Sequence, residues 1–225
     1  MIKNKKLAIA FALFAIWLYG AWAAVELLIM PAVSGVTDNK YVLVLLNDLL
    51  LKSLVWTLPA LLLIKRFSGE LFIDMKELLS FRKDSLKYLL IAAALAVFVL
   101  GGVFMRTHAL QISSTFHPSA LIIALLVGFT EEIVFRGFFL NATLRSGCSE
   151  AKKYFAVGIN AVMFVLIHFP IWIRNGVFAA NITSFAFMTI IVLSVLFSFC
   201  TIRCRNIWVA AILHSFYDLL VFVFV

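Results

Sequence analysis

The sequence predicts an all-α polytopic membrane protein of about seven transmembrane helices, with a polar cavity enclosed within the membrane. Three observations predict it. The 225 residues are 64% hydrophobic and only 13% charged, whereas a soluble domain is roughly half apolar and a quarter charged. Apolar segments long enough to span a bilayer follow one another with short connections. Lys and Arg fall almost wholly into alternate connections, as the positive-inside rule requires of a multi-pass protein.

Taken in order, the segments cover residues 7–30, 41–64, 86–105, 119–140, 154–169, 182–201 and 207–225. The first follows Lys3, Lys5 and Lys6. It resembles a signal peptide as far as Ala21-Trp22-Ala23, but its apolar run continues past that point, so an uncleaved span is expected. Residues 70–81 place Leu71, Phe72, Met75, Leu78 and Leu79 near helical spacing among basic neighbours. That pattern fits either an amphipathic helix on the inner membrane surface or a plain connector, and the connector is preferred. No linker, low-complexity run or internal repeat divides the chain. Residues 1–118 form a three-span N-terminal region, and residues 119–225 hold the remaining spans.

Orientation follows from the basic residues. With the N-terminus in the cytoplasm, fourteen fall inside: Lys3, Lys5, Lys6, Lys65, Arg66, Lys76, Arg82, Lys83, Lys87, Arg145, Lys152, Lys153, Arg203 and Arg205. Only Lys40, Arg106 and Arg174 fall outside. The net charge of +8 therefore reads as membrane topology, and no nucleic-acid partner is implied. Cys148, Cys200 and Cys204 lack the further ligands of a zinc pattern and are read as free thiols.

The fourth segment is the unusual one. GFTEEIVFRGFF, residues 128–139, places Glu131, Glu132 and Arg136 in an otherwise apolar span. Each charge at the centre of a spanning helix costs about 2.5–3.5 kcal/mol on insertion scales. Glu132 and Arg136 are four apart and pair on one helical face. Glu131 lies about 100° around the helix and has no local partner. Elsewhere, Glu26 is near the outer end of the first span, within reach of the interface. Asp48 and Lys52, four apart in the second, can neutralise each other. His108 and His117 read as solvated loop residues.

His168 and His214 differ from those two. His168 closes the fifth span, four residues after Phe164, and His214 shares a helical face with Asp218 in the seventh. Counted from the inner ends at about 1.5 Å per residue, Glu131, His168, His214 and Asp218 lie roughly 14, 21, 10 and 16 Å deep. All four can share one layer, in a cavity enclosed by the fourth, fifth and seventh helices.

In order, Glu131-Glu132 with Arg136, Phe164 with His168, and His214 with Asp218 resemble the three-motif signature of the CPBP intramembrane proteases. That family is also called Abi or CAAX prenyl protease type II, and includes lysostaphin-resistance-like and bacteriocin-immunity proteins. The resemblance covers residues 119–225 and implies a CAAX-protease-like intramembrane endopeptidase without a cofactor. It implies that Glu131 and His168 activate water and that His214 donates to the oxyanion, with Glu132, Arg136 and Asp218 completing the site. The residues fit such chemistry: burial raises a lone carboxylate toward the range of a general base, and an imidazole can stabilise a developing oxyanion. The last motif ends here in Asp218, whereas an amide at that position could itself donate a hydrogen bond. Asp218 therefore either orients His214 or stays protonated.

Other readings remain. Glu131, His168 and His214 could ligate zinc, although no HExxH is present. A catalytically silent scaffold or immunity protein could use the same fold. A proton-coupled transporter is less expected, because neither repeats nor Gly/Pro-broken helices are evident. The implied partners are the lipid bilayer and a membrane-associated peptide or protein substrate. In a bacterial cytoplasmic membrane, that means peptide leaders or surface-protein precursors.

Overall fold

The computed structural model describes residues 4–144 and 148–225, so Lys3 and Arg145 lie outside the described residues. Seven long helices account for the fold, with no strand among the described residues. They are α1 (Lys5–Ser34), α2 (Lys40–Arg66), α3 (Lys83–Thr107), α4 (119–143), α5 (Glu150–Arg174), α6 (Phe187–Cys204) and α7 (Trp208–Phe224). Two begin at asparagine caps that satisfy free N–H groups of the first turn. Asn4 Oδ1 accepts from Lys6 and Leu7 at 2.7 and 3.4 Å, and Asn39 Oδ1 from Tyr41 and Val42 at 3.0 and 3.3 Å. The helices α1, α2, α3, α5 and α6 have the length and apolarity of membrane spans. Of the other two, α4 carries three charges and α7 is 17 residues long. The protein is a seven-helix membrane bundle.

The fourth helix is the axis of that bundle. It is buried on every side from Thr130 to Ala142, which is why its sequence shows no polar face. Its first half packs along α7, and its second half is surrounded by α2, α5 and α6. Phe135, Phe138 and Phe139 fill the space toward α1, α2 and α5. Phe139 stacks on Phe14 with centroids 5.2 Å apart, and Phe135 meets Phe164 edge-on at 4.9 Å. On the periphery, α3 packs against α7 through Leu95, Val99 and Val103, one residue per turn.

Two expectations change and one is refined. Residues 70–81 are a connector rather than a surface amphipathic helix, but one that packs into the bundle. After a 3-10 turn that ends at Glu70, only Met75–Leu78 is helical, and Ile73 and Leu78 are buried in the main core. Asn141 locks this segment down, accepting from Ile73 N at 2.7 Å and donating to Ile73 O at 2.8 Å. At the other side of the segment, Ile207 N donates to Leu78 O at 3.1 Å.

The fifth span is not continuous: Glu150–Leu166 gives way at residues 167–168 to Phe169–Arg174. Pro170 has no N–H to offer the Leu166 carbonyl, so the ladder breaks one turn before it. A Pro-broken helix is therefore present after all, although no repeat accompanies it. Finally, Glu26 does not reach an interface but is fully buried. Its Oε2 is 2.7 Å from Arg174 Nη1, and its Oε1 accepts from Asn47 at 3.4 Å. The end of α5 packs on the widened turn Val25–Ile29 of α1 and brings the guanidinium there.

Candidate functional site

The charges of α4 are the starting point. Glu132 and Arg136 are wholly buried, and Arg136 Nη1 donates to Glu132 Oε1 at 2.9 Å. The guanidinium also donates from Nη2 to Ser194 of α6, at 3.1 Å to its carbonyl and 2.9 Å to its hydroxyl. Its face lies 4.5 Å from the Phe164 ring centroid of α5. Arg136 thus ties three helices together around one carboxylate. His214 Nδ1 donates to that carboxylate, 2.9 Å from Glu132 Oε1, while Phe197 stacks on the imidazole with centroids 5.0 Å apart. The opposite ring nitrogen, Nε2, points between Asp218 Oδ2 at 3.6 Å and Glu131 Oε2 at 4.0 Å.

His168 sits at the break in the α5 hydrogen-bond ladder, where its backbone stays right-handed helical and its N–H donates to the Val165 carbonyl at 3.0 Å. Its Nδ1 is 2.6 Å from the Phe164 carbonyl. A carbonyl only accepts, so Nδ1 carries the proton and Nε2 of the neutral ring keeps its lone pair. No direct hydrogen bond joins His168 to either glutamate among the described residues. The two histidines flank Phe164, edge-on at 5.1 and 5.8 Å.

Glu131 is where the sequence reading needs correction. It was expected to be an unpaired carboxylate, but Lys52 of α2 donates to its Oε1 at 2.9 Å. Lys52 Nζ is farther from Asp48, at 3.7 Å, although Asp48 lies one turn away on the same helix. Read from its spacing alone, Lys52 had only the task of neutralising Asp48. The available signal was a lysine in the middle of an apolar span, too deep to reach either surface. Glu131 Oε2 remains buried without a hydrogen-bond partner among the described residues, as does Glu132 Oε2.

Glu131, Lys52, Asp48, His168, His214 and Asp218 all line one cavity of about 920 Å³. Its walls run from this charged layer to Ser34, Leu43 and Asn175. These residues mark the end of α1, the start of α2 and the end of α5, all at the end of the bundle that carries Lys40, Arg106 and Arg174. A metal fits the donor set poorly. An ammonium holds Glu131 Oε1 and a carboxylate holds His214 Nδ1. Among the described residues no three His, Cys, Asp or Glu side chains are grouped to bind an ion.

The fold and the site are those of a helical membrane bundle that gathers two buried glutamates, two histidines and an aspartate around one internal cavity. Residues 113–220 match the family model described as type II CAAX prenyl endopeptidase Rce1-like, so just under half of the chain is similar to that protease family. No curated protein and no solved structure matches the chain.

Proposed function

We propose that the chain is an intramembrane endopeptidase of the glutamic type, hydrolysing a peptide bond of a membrane-associated peptide or protein. One observation carries this reading: Glu131 Oε2 is buried, lacks a partner and lies 4.0 Å from His214 Nε2, in a cavity shared with His168 and Asp218. A water in that gap would give its proton to Glu131, with the free Nε2 of His168 as its second acceptor. The resulting hydroxide adds to the substrate carbonyl. Charged His214 offers Nε2–H to the oxyanion, while Glu132 anchors the other side of the ring. Collapse breaks the C–N bond, and the proton held by Glu131 passes to the leaving amine. Asp218 flanks His214 Nε2 and steadies the charged ring. No cofactor is needed for these steps.

The test uses detergent-solubilised full-length protein and two internally quenched peptides, one ending in a farnesylated CAAX sequence and the other its unmodified twin. Glu131→Ala and His168→Ala are each expected to cut hydrolysis by about a hundredfold or more. Parental rates in both variants would rule out hydrolysis at this site.

The cavity reaches the end of the bundle poor in Lys and Arg. With the N-terminus in the cytoplasm of a bacterial cell, substrate therefore enters from outside or from the outer leaflet. In intact cells, a membrane-impermeant thiol reagent is expected to label Asn175→Cys, an exposed mouth position, and to spare native Cys148 until the cells are opened. The reverse pattern would invert the orientation.

A further inference from the structure

We propose that Lys52 is a positioning residue of the hydrolytic site: its ammonium anchors Oε1 of Glu131, so that Oε2 is the oxygen left to face water. This rests on the peptidase reading and adds to it a residue that lies outside the matched segment 113–220.

The placement of Lys52 goes beyond what charge neutralisation requires. A lysine carries about 2 kcal/mol of rotamer entropy that must be given up to hold one pose. Here Trp56 and Trp22 hold the ammonium over their rings, with centroids 4.9 and 5.6 Å away. Lys52 lies between two widened turns of α2, Leu45–Leu51 and Ser53–Thr57. Such i→i+5 turns re-aim side chains and recur at functional sites. If Lys52 served only Asp48, the i,i+4 neighbour would be the closer partner; instead Asp48 stands at 3.7 Å and Glu131 at 2.9 Å. Asp48 acts as a second tether that keeps the ammonium between the two carboxylates.

The consequence for Glu131 is chemical. The two oxygens of an unanchored carboxylate are equivalent and exchange by rotation about the terminal torsion. Here one is fixed by a charge-assisted bond, and the other is fixed by default, bare and directed toward His214. A base held in one orientation needs no further ordering when substrate arrives.

Two readouts on full-length protein in proteoliposomes test this. A hydrophobic carbodiimide reacts with protonated carboxyl groups, so a paired Glu131 reacts slowly. Mass spectrometry of the Glu131 peptide is expected to show dicyclohexylcarbodiimide labelling about tenfold faster in Lys52→Met than in the parent. Ethylamine added to Lys52→Ala is expected to slow it again. Equal labelling in parent and Lys52→Met overturns the pairing. On the peptide probes, Lys52→Met is expected to lose about a hundredfold in kcat with KM within about threefold, and ethylamine to restore part of the Lys52→Ala loss. A kcat within threefold of the parent overturns the positioning role. If Lys52→Met fails to accumulate, the parent carries the test: the small fraction of Glu131 that the carbodiimide activates is expected to be captured by Lys52 as an amide, with the one water lost taken up by the carbodiimide as its urea, and Glu131 recovered only as the carbodiimide adduct counts against the proposal. Parental hydrolysis by Glu131→Gln would end the peptidase reading while leaving the carbodiimide result intact.

Discussion

Glu132→Gln is expected to accumulate poorly and to unfold at lower temperature, whereas Glu131→Gln is expected to accumulate like the parent and fail only in catalysis. The two residues are adjacent in sequence, and their surroundings decide the difference. Among the described residues, Glu132 is the one carboxylate in ion-pair contact with a guanidinium that is fully buried. Replacing it with an amide leaves Arg136 charged and uncompensated, an error that costs about 3–5 kcal/mol when a buried pair is broken. The same change weakens the anchor of His214, so two helix contacts fail together. Glu131 is different because Lys52 has Asp48 in reserve at 3.7 Å, and the amide oxygen of Gln can still accept from the ammonium. Its stability cost is about 1 kcal/mol or less, while loss of the base removes about a hundredfold to ten-thousandfold in rate. Thermal unfolding in detergent and peptide hydrolysis on the same preparations separate the two effects. Equal loss of abundance in both variants would mean that the glutamates do not divide the work.

The sequence revealed as much of the site as local rules can express. Charges inside an apolar span are costly, so Glu131, Glu132 and Arg136 stood out. Spacings of four then joined Glu132 to Arg136 and His214 to Asp218, since residues one turn apart must face the same way. What stayed hidden depends on arms and neighbours that no spacing encodes. Lys52 satisfied the i,i+4 rule with Asp48, and nothing in α2 says that its side chain reaches across to α4 instead. Glu26 and Arg174 meet only because the end of α5 folds against α1. Pro170 went unread as a helix breaker because the expected span ended at residue 169, and that His168 lines the cavity follows from α5 packing beside α4. The number of helices was legible from hydropathy; α4 as the buried axis was not, because an apolar span looks the same whether lipid or protein surrounds it.

The contact that holds this site in register gives the last prediction, at Gly128. A methyl group there would lie 2.6 Å from Ser215 N and 2.9 Å from Ala211 O. Both are backbone atoms of α7 and cannot swing aside as a side-chain tip would. Gly128→Ala must therefore push α4 and α7 apart, by about 0.8 Å to restore ordinary contact with Ser215 N. Small residues allow this kind of close approach between helices in membranes, and overpacking it costs about 1–3 kcal/mol. The larger effect is on chemistry. Gly128 is one turn before Glu131 and Glu132, and Ser215 adjoins His214, so the displacement falls where the two helices present the site. A shift of about 1 Å between reacting groups can cost about a hundredfold in rate. Gly102 on α3 is the control, because a methyl group there meets nothing within 4 Å. Gly102→Ala is expected to match the parent in hydrolysis and melting temperature, while Gly128→Ala loses rate out of proportion to its loss of stability. If Gly128→Ala keeps its rate, the α4–α7 spacing does not set the geometry between Glu132 and His214.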